Sequence, residues 1–102
     1  MPDLLDDTAI ARRLAALPGW TREGDEIRRS VRAPSFMAGI DLLAAVARAA
    51  ENADHHPDID VRWRTVTFAL TTHCSGGLTV KDFDLAAVID RLATEHGAEQ
   101  AD

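Results

Sequence analysis

The chain has 102 residues and a formal net charge of -6, and this length favours a single domain. Hydrophobic residues make up 46% and charged residues 27% of it, which is typical of globular chains and excludes a disordered tail or a collagen-like repeat. The acidic balance argues against direct nucleic-acid binding, because the phosphate backbone attracts basic surfaces. We therefore expect one folded domain without a nucleic-acid ligand.

Cysteine content and hydropathy indicate the compartment. Cys74 is the one cysteine, so an internal disulfide is impossible and a reducing compartment is favoured. The longest uncharged stretch, residues 65–80, is rich in threonine and interrupted by Ser75-Gly76-Gly77, so it does not resemble a membrane span. The first residues lack the pattern of a signal peptide. We expect a cytoplasmic protein with no membrane partner.

The first third of the chain predicts a helix and then a hairpin. The helix is expected to end at Pro18-Gly19, and its apolar face has helical spacing: Ile10, Leu14 and Leu17. Residues 20–22 and 27–32 predict two strands, since the second alternates apolar and polar side chains. Gly24-Asp25 between them is suited to a tight turn.

A long helix is predicted after Pro34-Ser35, which can open and cap it. It is expected to end near His55, because Pro57 disfavours the α conformation in the residue before it. Its expected core face is Phe36, Ile40, Leu43, Ala47 and Ala50.

Two more strands and a last helix follow. Alternation predicts that Ile59, Val61 and Trp63 point inward from one strand, and the next strand directs inward Val66, Phe68 and Leu70. A glycine-rich loop over residues 73–78 leads to a helix that Thr79 can cap, with Asp82 at its third position. The expected core face of that helix is Leu85, Ile89 and Leu92.

The element order α-β-β-α-β-β-α predicts an α+β fold. Two hairpins joined by a helix favour a four-stranded antiparallel sheet with helices packed on one face. We expect a single domain over residues 1–102, with flexible ends at residues 1–6 and 98–102.

Histidine is concentrated where the predicted elements end. His55 and His56 lie at a helix end, and His73 lies between a strand and the glycine-rich loop. Because imidazole titrates near neutrality, it can both donate and accept a proton at cellular pH. Glu51 and Asp82 are carboxylates that could orient an imidazole or bind a protonated ligand nitrogen.

Each of these residues also has a purely structural interpretation. An adjacent pair such as His55 and His56 is commonly a solvated turn, and Glu51 is commonly a charge on a helix surface. Asp82 alone is typical of a helix cap, and tryptophans such as Trp20 are typical of a core.

Metal and phosphate sites are the competing chemical interpretations. Local ligand spacings such as His-x-x-x-His or Cys-x-x-Cys are absent from the sequence. The loop Ser75-Gly76-Gly77-Leu78 lacks the lysine of a P-loop. Cys74 would need a nearby base and positive group to be a nucleophile. We expect neither a metal nor a cofactor.

The combination of these residues is more specific than any of them alone. The run Glu51-Asn52-Ala53-Asp54-His55-His56-Pro57, followed by Trp63, His73 and Asp82, resembles the signature of the pterin-4a-carbinolamine dehydratase family. The resemblance extends to Gly19-Trp20 and to Leu85-Ala86, so it covers nearly the whole chain.

The resemblance implies a fold, an activity and an assembly. Members of the family have a four-stranded antiparallel sheet with helices on one side, and they form homodimers or homotetramers. Their reaction dehydrates a 4a-hydroxytetrahydropterin to a quinonoid dihydropterin, and this recycles tetrahydrobiopterin. It requires no cofactor.

The resemblance also implies roles for individual residues. The catalytic histidines of the family match His55, His56 and His73, and its acidic pair matches Glu51 and Asp82. Its pterin pocket is walled where this chain has Trp20, Thr71 and Thr72. Within the histidine trio, His56 and His73 are expected to carry the chemistry while His55 assists binding.

Two departures from the family pattern stand out. Lys81 occupies a supporting position that is often arginine, so charge is retained but bidentate geometry is lost. Val31 and Ala33 replace a common Phe-x-Phe pattern, which concerns pocket shape and assembly.

A second hypothesis from another class is an interaction protein of the same fold. Relatives of the family serve as a cofactor of a transcription factor or resemble assembly chaperones. Retention of all three histidines favours the enzyme, although both activities are compatible with one chain.

Overall fold

The computed structural model describes residues 2–101, over which the chain forms three α-helices and five β-strands. The elements in chain order are α1 (Asp7–Ala15), β1 (Thr21–Glu23), β2 (Glu26–Arg32), α2 (Phe36–Ala53), β3 (Asp58–Arg62), β4 (Thr65–Leu70), α3 (Val80–Glu95) and β5 (Glu99–Gln100), with a 3-10 turn at His73–Ser75 between β4 and α3. The predicted α+β class and element order are confirmed.

The sheet is antiparallel in the order β1-β2-β4-β3. The central pair β2 and β4 aligns Val31 with Val66 and Ile27 with Leu70, and all four side chains are fully buried. The residues between them on the strands, such as Ser30 and Thr67, face away from the core, and their hydroxyls are 2.7 Å apart. One apolar face therefore carries the helices, and the other face is polar.

The described residues near both chain ends make specific contacts, within the ranges 1–6 and 98–102 whose flexibility stays a prediction. Gly97 has φ +72 and reverses the chain after α3. This reversal brings β5 alongside β2, where it pairs Gln100 with Val31 and adds a fifth strand to the four expected. Near the other end, the Leu5 amide donates to the Leu78 carbonyl at 2.9 Å. Residues 1 and 102 lie outside the described residues.

The core face of α2 differs from the predicted one except at Ala50. Its buried residues are Gly39, Leu42, Val46 and Ala50, whereas Phe36 is 48% exposed. Gly39 faces the sheet, since a Cβ at this position would lie 3.5 Å from Val66 Cγ2. Because α2 is apolar on more than one side, helical spacing alone could not select the face that packs against the sheet.

The position of Trp63 also differs from the prediction that it points inward. It follows the last residue of β3 and lies in the turn to β4, with φ 52 and 72% of its surface exposed. The Arg64 guanidinium stacks on its ring at 4.6 Å from the centroid. The alternation that predicted an inward Trp63 ends one residue earlier, at Arg62.

Neighbouring leucines on α2 test the observed core face. Leu42 is fully buried and belongs to the core cluster, whereas Leu43 is half-buried and lies outside it. We expect Leu42→Ala to lower the free energy of unfolding by about 2–5 kcal/mol and Leu43→Ala by about 1 kcal/mol or less. Urea denaturation of the two variants measures the difference, and equal losses would contradict the assigned face.

Candidate functional site

The centre of the candidate site is Asp82, a carboxylate in the first turn of α3 with no solvent exposure. Its Oδ2 accepts hydrogen bonds from the Thr79 amide at 2.9 Å and the Thr72 hydroxyl at 2.8 Å. Its Oδ1 is 2.6 Å from His55 Nε2. Because a buried carboxylate is costly unless its oxygens are hydrogen-bonded, these three partners explain how Asp82 is tolerated inside the domain.

The direction of each hydrogen bond around Asp82 follows from which groups carry a proton to donate. A carboxylate accepts only, so the Thr72 hydroxyl proton goes to Asp82. The Thr79 hydroxyl, 2.8 Å from that of Thr72, must then donate to it. Thr79 Oγ1 in turn accepts the Lys81 amide at 3.3 Å. The chain of donors therefore runs from the first turn of α3 through two threonines to Asp82.

The end of α2 places two adjacent histidines in different environments. Asp54, at φ 48, is left-handed and ends the helix. The His55 amide then donates to the Ala50 carbonyl at 3.0 Å, a closing bond typical of helix C-termini. As a result His55 turns inward and is 8% exposed, while His56 points to solvent.

His56 pairs with a carboxylate of α2. Its Nε2 is hydrogen-bonded to Glu51 Oε2, and the two side chains are 56% and 75% exposed. Such an exposed pair contributes little to stability because water screens it. The effect of the pair is therefore to orient the imidazole of His56.

His73 follows Thr72, a hydrogen-bond partner of Asp82, directly in the chain. It is exposed and begins the 3-10 turn directly after Thr72. His55 and Thr72 both bond to Asp82. His56 follows His55 in the chain, and His73 follows Thr72. The Cα atom of each histidine is therefore about 3.8 Å from the Cα atom of a residue that bonds to Asp82. Asp82 is thus bonded to His55 and Thr72, and His56 and His73 are the sequence neighbours of these two partners.

The three residues that the sequence assigns to a pocket wall lie in different places. Thr72 is 2% exposed and bonds to Asp82, whereas Thr71 is half-buried and its hydroxyl donates to the Asp25 carbonyl at 2.6 Å. Trp20 is 4% exposed, and its indole N–H donates to Asp90 at 2.8 Å. Asp90 lies about 12 Å further along α3 than Asp82, at about 1.5 Å per residue. Trp20 therefore does not lie beside the histidines.

A groove between α2 and α3 adjoins the site and was missed by the sequence. It has a volume of about 290 Å³ and is lined by Ala49, Ala53, His55, Lys81, Asp84, Leu85 and Val88. Lys81 thus lies beside His55 on the groove rather than in the bonds to Asp82. Ala49 and Ala53 lie four residues apart and therefore on the same side of α2. This spacing could have predicted the groove only if the helix that packs opposite had been known.

The role of Thr79 was recognised only in part. The sequence predicted a helix cap, and the reciprocal bond between the Thr79 amide and Asp82 confirms it. Its hydroxyl contact to Thr72 joins the cap to the end of β4, and this contact depends on tertiary packing. Among residues 2–101, no three His, Cys, Asp or Glu side chains converge as metal ligands.

Comparison with known proteins identifies the family. The family model described as "Pterin 4 alpha carbinolamine dehydratase" matches residues 3–92. The chain belongs to the pterin-4a-carbinolamine dehydratase family. It is 63% identical over 91 residues to a Nocardia farcinica protein named "Putative pterin-4-alpha-carbinolamine dehydratase", covering 89% of this chain and 96% of that protein. A Roseiflexus castenholzii protein of the same name is 56% identical over 92 residues, covering 90% and 99%.

A solved structure supports the family and the fold. A Brucella melitensis protein described as a transcriptional coactivator/pterin dehydratase superposes with a TM-score of 0.86 at 29% identity, covering 89% of this chain and 99% of that one. No helix within residues 2–101 has the length and apolar character needed to cross a membrane.

Replacement of Asp82 tests the centre of the site. In Asp82→Asn the amide oxygen can still accept from Thr79 and Thr72 at the Oδ2 position, but the NH2 group replaces Oδ1 and cannot accept a proton from His55 Nε2. We expect a loss of about 1–3 kcal/mol in the free energy of unfolding, measured by urea denaturation. Asp41→Asn, an exposed change on α2, is the matched control and should stay within about 0.5 kcal/mol. Equal stability of Asp82→Asn and the unchanged protein would refute the three-bond assignment.

Proposed function

We propose that this chain is a hydro-lyase that converts a 4a-hydroxytetrahydropterin to a quinonoid dihydropterin and water, in tetrahydrobiopterin recycling in the cytoplasm. The single observation that carries the proposal is the arrangement of His56 and His73. Both are exposed, and each is the sequence neighbour of a residue bonded to the buried Asp82, His56 of His55 and His73 of Thr72. Family membership supplies the substrate class.

The reaction needs one proton donor and one proton acceptor. The leaving 4a-hydroxyl takes up a proton, the C4a–O bond breaks and water departs. N5 loses its proton as the C4a=N5 double bond forms, so the balance involves no oxidant or reductant. Imidazole can serve in either role near neutral pH. Two histidines, one acting as the acid and the other as the base, therefore suffice.

The surrounding residues position these two histidines. Glu51 orients His56 through the bond to Nε2, and Thr72 anchors the start of the loop that carries His73. Asp82 fixes His55, which lines the groove between α2 and α3 and is assigned to substrate binding. Lys81 lines the same groove and supplies a positive charge beside it.

The remaining residues are assigned to pterin contact or to a supporting role according to how much of their surface is exposed. Thr71, half-buried and two residues before His73, is proposed to contact the pterin. Thr72 and Trp20 have little surface with which to touch a ligand. We assign them to supporting the wall from inside, Thr72 through Asp82 and Trp20 through Asp90.

Histidine replacements test the proposed chemistry. We expect His56→Ala and His73→Ala each to lower kcat for decay of chemically generated carbinolamine by about 10²–10⁴-fold, the usual contribution of one acid or base. Both side chains are exposed, so thermal stability should hardly change. His96→Ala is the control, because His96 bonds to the Leu92 carbonyl at the far end of α3. Full activity in both site variants would overturn the assignment.

We also propose that the chain forms a homodimer or homotetramer. β3 is an edge of the sheet, and edge strands invite pairing with another chain. Phe36 and Met37 expose 48% and 61% of their surface at the start of α2, which adds an apolar area suited to a second contact.

Light scattering across a range of concentrations measures the assembly. We expect a mass that is an integral multiple, two or four times, of the 11.1 kDa chain. A mass of one chain at every concentration would refute the proposal.

A role as an interaction protein is the second candidate function. The description of the Brucella melitensis relative as a coactivator and the exposed Phe36 and Met37 favour it. A stoichiometric partner from the native host that still binds after His56→Ala and His73→Ala would show that binding is separate from catalysis. Loss of the partner in both variants would contradict this role.

A further inference from the structure

The loop that carries His73 is closed by its own backbone. The Thr72 carbonyl accepts from the amides of Ser75 and Gly76 at 3.0 Å each and from Gly77 at 3.3 Å, and the Thr72 amide donates to the Gly77 carbonyl at 3.0 Å. Gly76 has φ +78, a conformation suited to glycine. These hydrogen bonds close the loop on itself, and His73 and Ser75 lie in the same 3-10 turn.

The first described residues of the chain lie across this loop. The Ser75 hydroxyl donates to the Pro2 carbonyl at 2.7 Å, and the Leu5 amide donates to the Leu78 carbonyl at 2.9 Å. Leu78 is 2% exposed, so the second bond ties the segment to the edge of the core. Residues 2–5 are therefore bonded to the loop at two points, one at its tip and one at its end.

The side chain of Leu4 makes a third contact with the loop. A Cβ built at Gly77 would lie 3.1 Å from Leu4 Cδ2, closer than ordinary van der Waals contact. The absence of a side chain at Gly77 is what lets Leu4 approach the loop. Leu4 is nevertheless 57% exposed, so only part of its side chain packs against the loop.

We propose that residues 2–5 are a strap that positions His73 for catalysis; this rests on the proposed function. The base of the loop is held by Thr72 and Thr79, whose hydroxyls are bonded inside the core. The tip is held by the strap through Ser75, two residues after His73. Release of the tip would change the backbone angles of the turn and so move the imidazole. A displacement of about 1 Å can cost an enzyme about 10²-fold in rate.

The strap is a positioning element, so its loss should affect turnover more than substrate binding. Ser75→Ala removes the bond to Pro2 without touching the histidines. We expect the amides of Leu5, Gly76 and Gly77 to exchange with solvent about 3–10-fold faster, the equivalent of one hydrogen bond. In the same variant we expect kcat to fall about 3–10-fold while KM stays within about 2-fold.

Two further variants make this test specific. Ser75→Thr keeps the hydroxyl and should restore both exchange and kcat. Leu4→Ala removes the packing on Gly77 and should act in the same direction as Ser75→Ala. Thr94→Ala is the matched control, because it deletes an exposed hydroxyl that donates to a helix carbonyl, Asp90 O, at 3.2 Å and lies near the opposite end of α3.

The outcomes separate the strap from the proposed function. Hydrogen exchange reports on the strap whether or not the protein is a dehydratase. Unchanged exchange in Ser75→Ala would overturn the strap itself. Faster exchange with unchanged kcat would overturn the positioning role and leave the dehydratase proposal intact. An unchanged protein that folds but does not accelerate the reaction would overturn the proposed function and with it the catalytic meaning of the strap.

Discussion

The whole site depends on one buried carboxylate. Transfer of a charge out of water costs several kcal/mol in a real protein, whereas a hydrogen bond to a charged group returns about 1.5–3 kcal/mol. Asp82 therefore needs all three of its donors. They come from the end of α2, the end of β4 and the start of α3. Only the packed domain brings these three ends together, so folding and assembly of the site are one event.

This constraint gives neighbouring histidines different environments. His55 is locked inward by Asp82, and His56 faces solvent beside Glu51. Adjacent positions thus hold one imidazole in the interior and the next at the surface beside a carboxylate. His73 has a comparable relation to Thr72, which is buried while His73 is exposed. The pattern arises because adjacent residues at the end of an element can face opposite directions.

The sequence predicted those features that depend on local chemistry. The cap pair Thr79 and Asp82, the end of α2 before Pro57 and the alternation of β4 each have a local cause, and the structure confirms them. The histidine trio was also identified correctly as a group of residues at element ends. Its assigned roles stay a prediction.

The features that escaped prediction depend on tertiary contacts. The core face of α2 is set by the approach of Gly39 to the sheet, which no spacing rule contains. β5 exists because the reversal at Gly97 delivers residues 99–100 to β2. The contacts of residues 2–5 with Ser75 and Leu78 join parts of the chain that are distant in sequence. The link from Thr79 to Thr72 has the same origin, since two threonines seven residues apart meet only when the loop between them closes.

The tautomer of His55 tests this account most directly. Because Asp82 accepts and does not donate, the imidazole must carry its proton on Nε2. Nitrogen-15 NMR of the histidine rings reports which nitrogen is protonated. The account predicts a protonated Nε2 on His55 whose proton exchanges slowly with water, as expected for a buried bond. An unprotonated Nε2, or a proton that exchanges as fast as that of an exposed imidazole, would contradict the central role of Asp82.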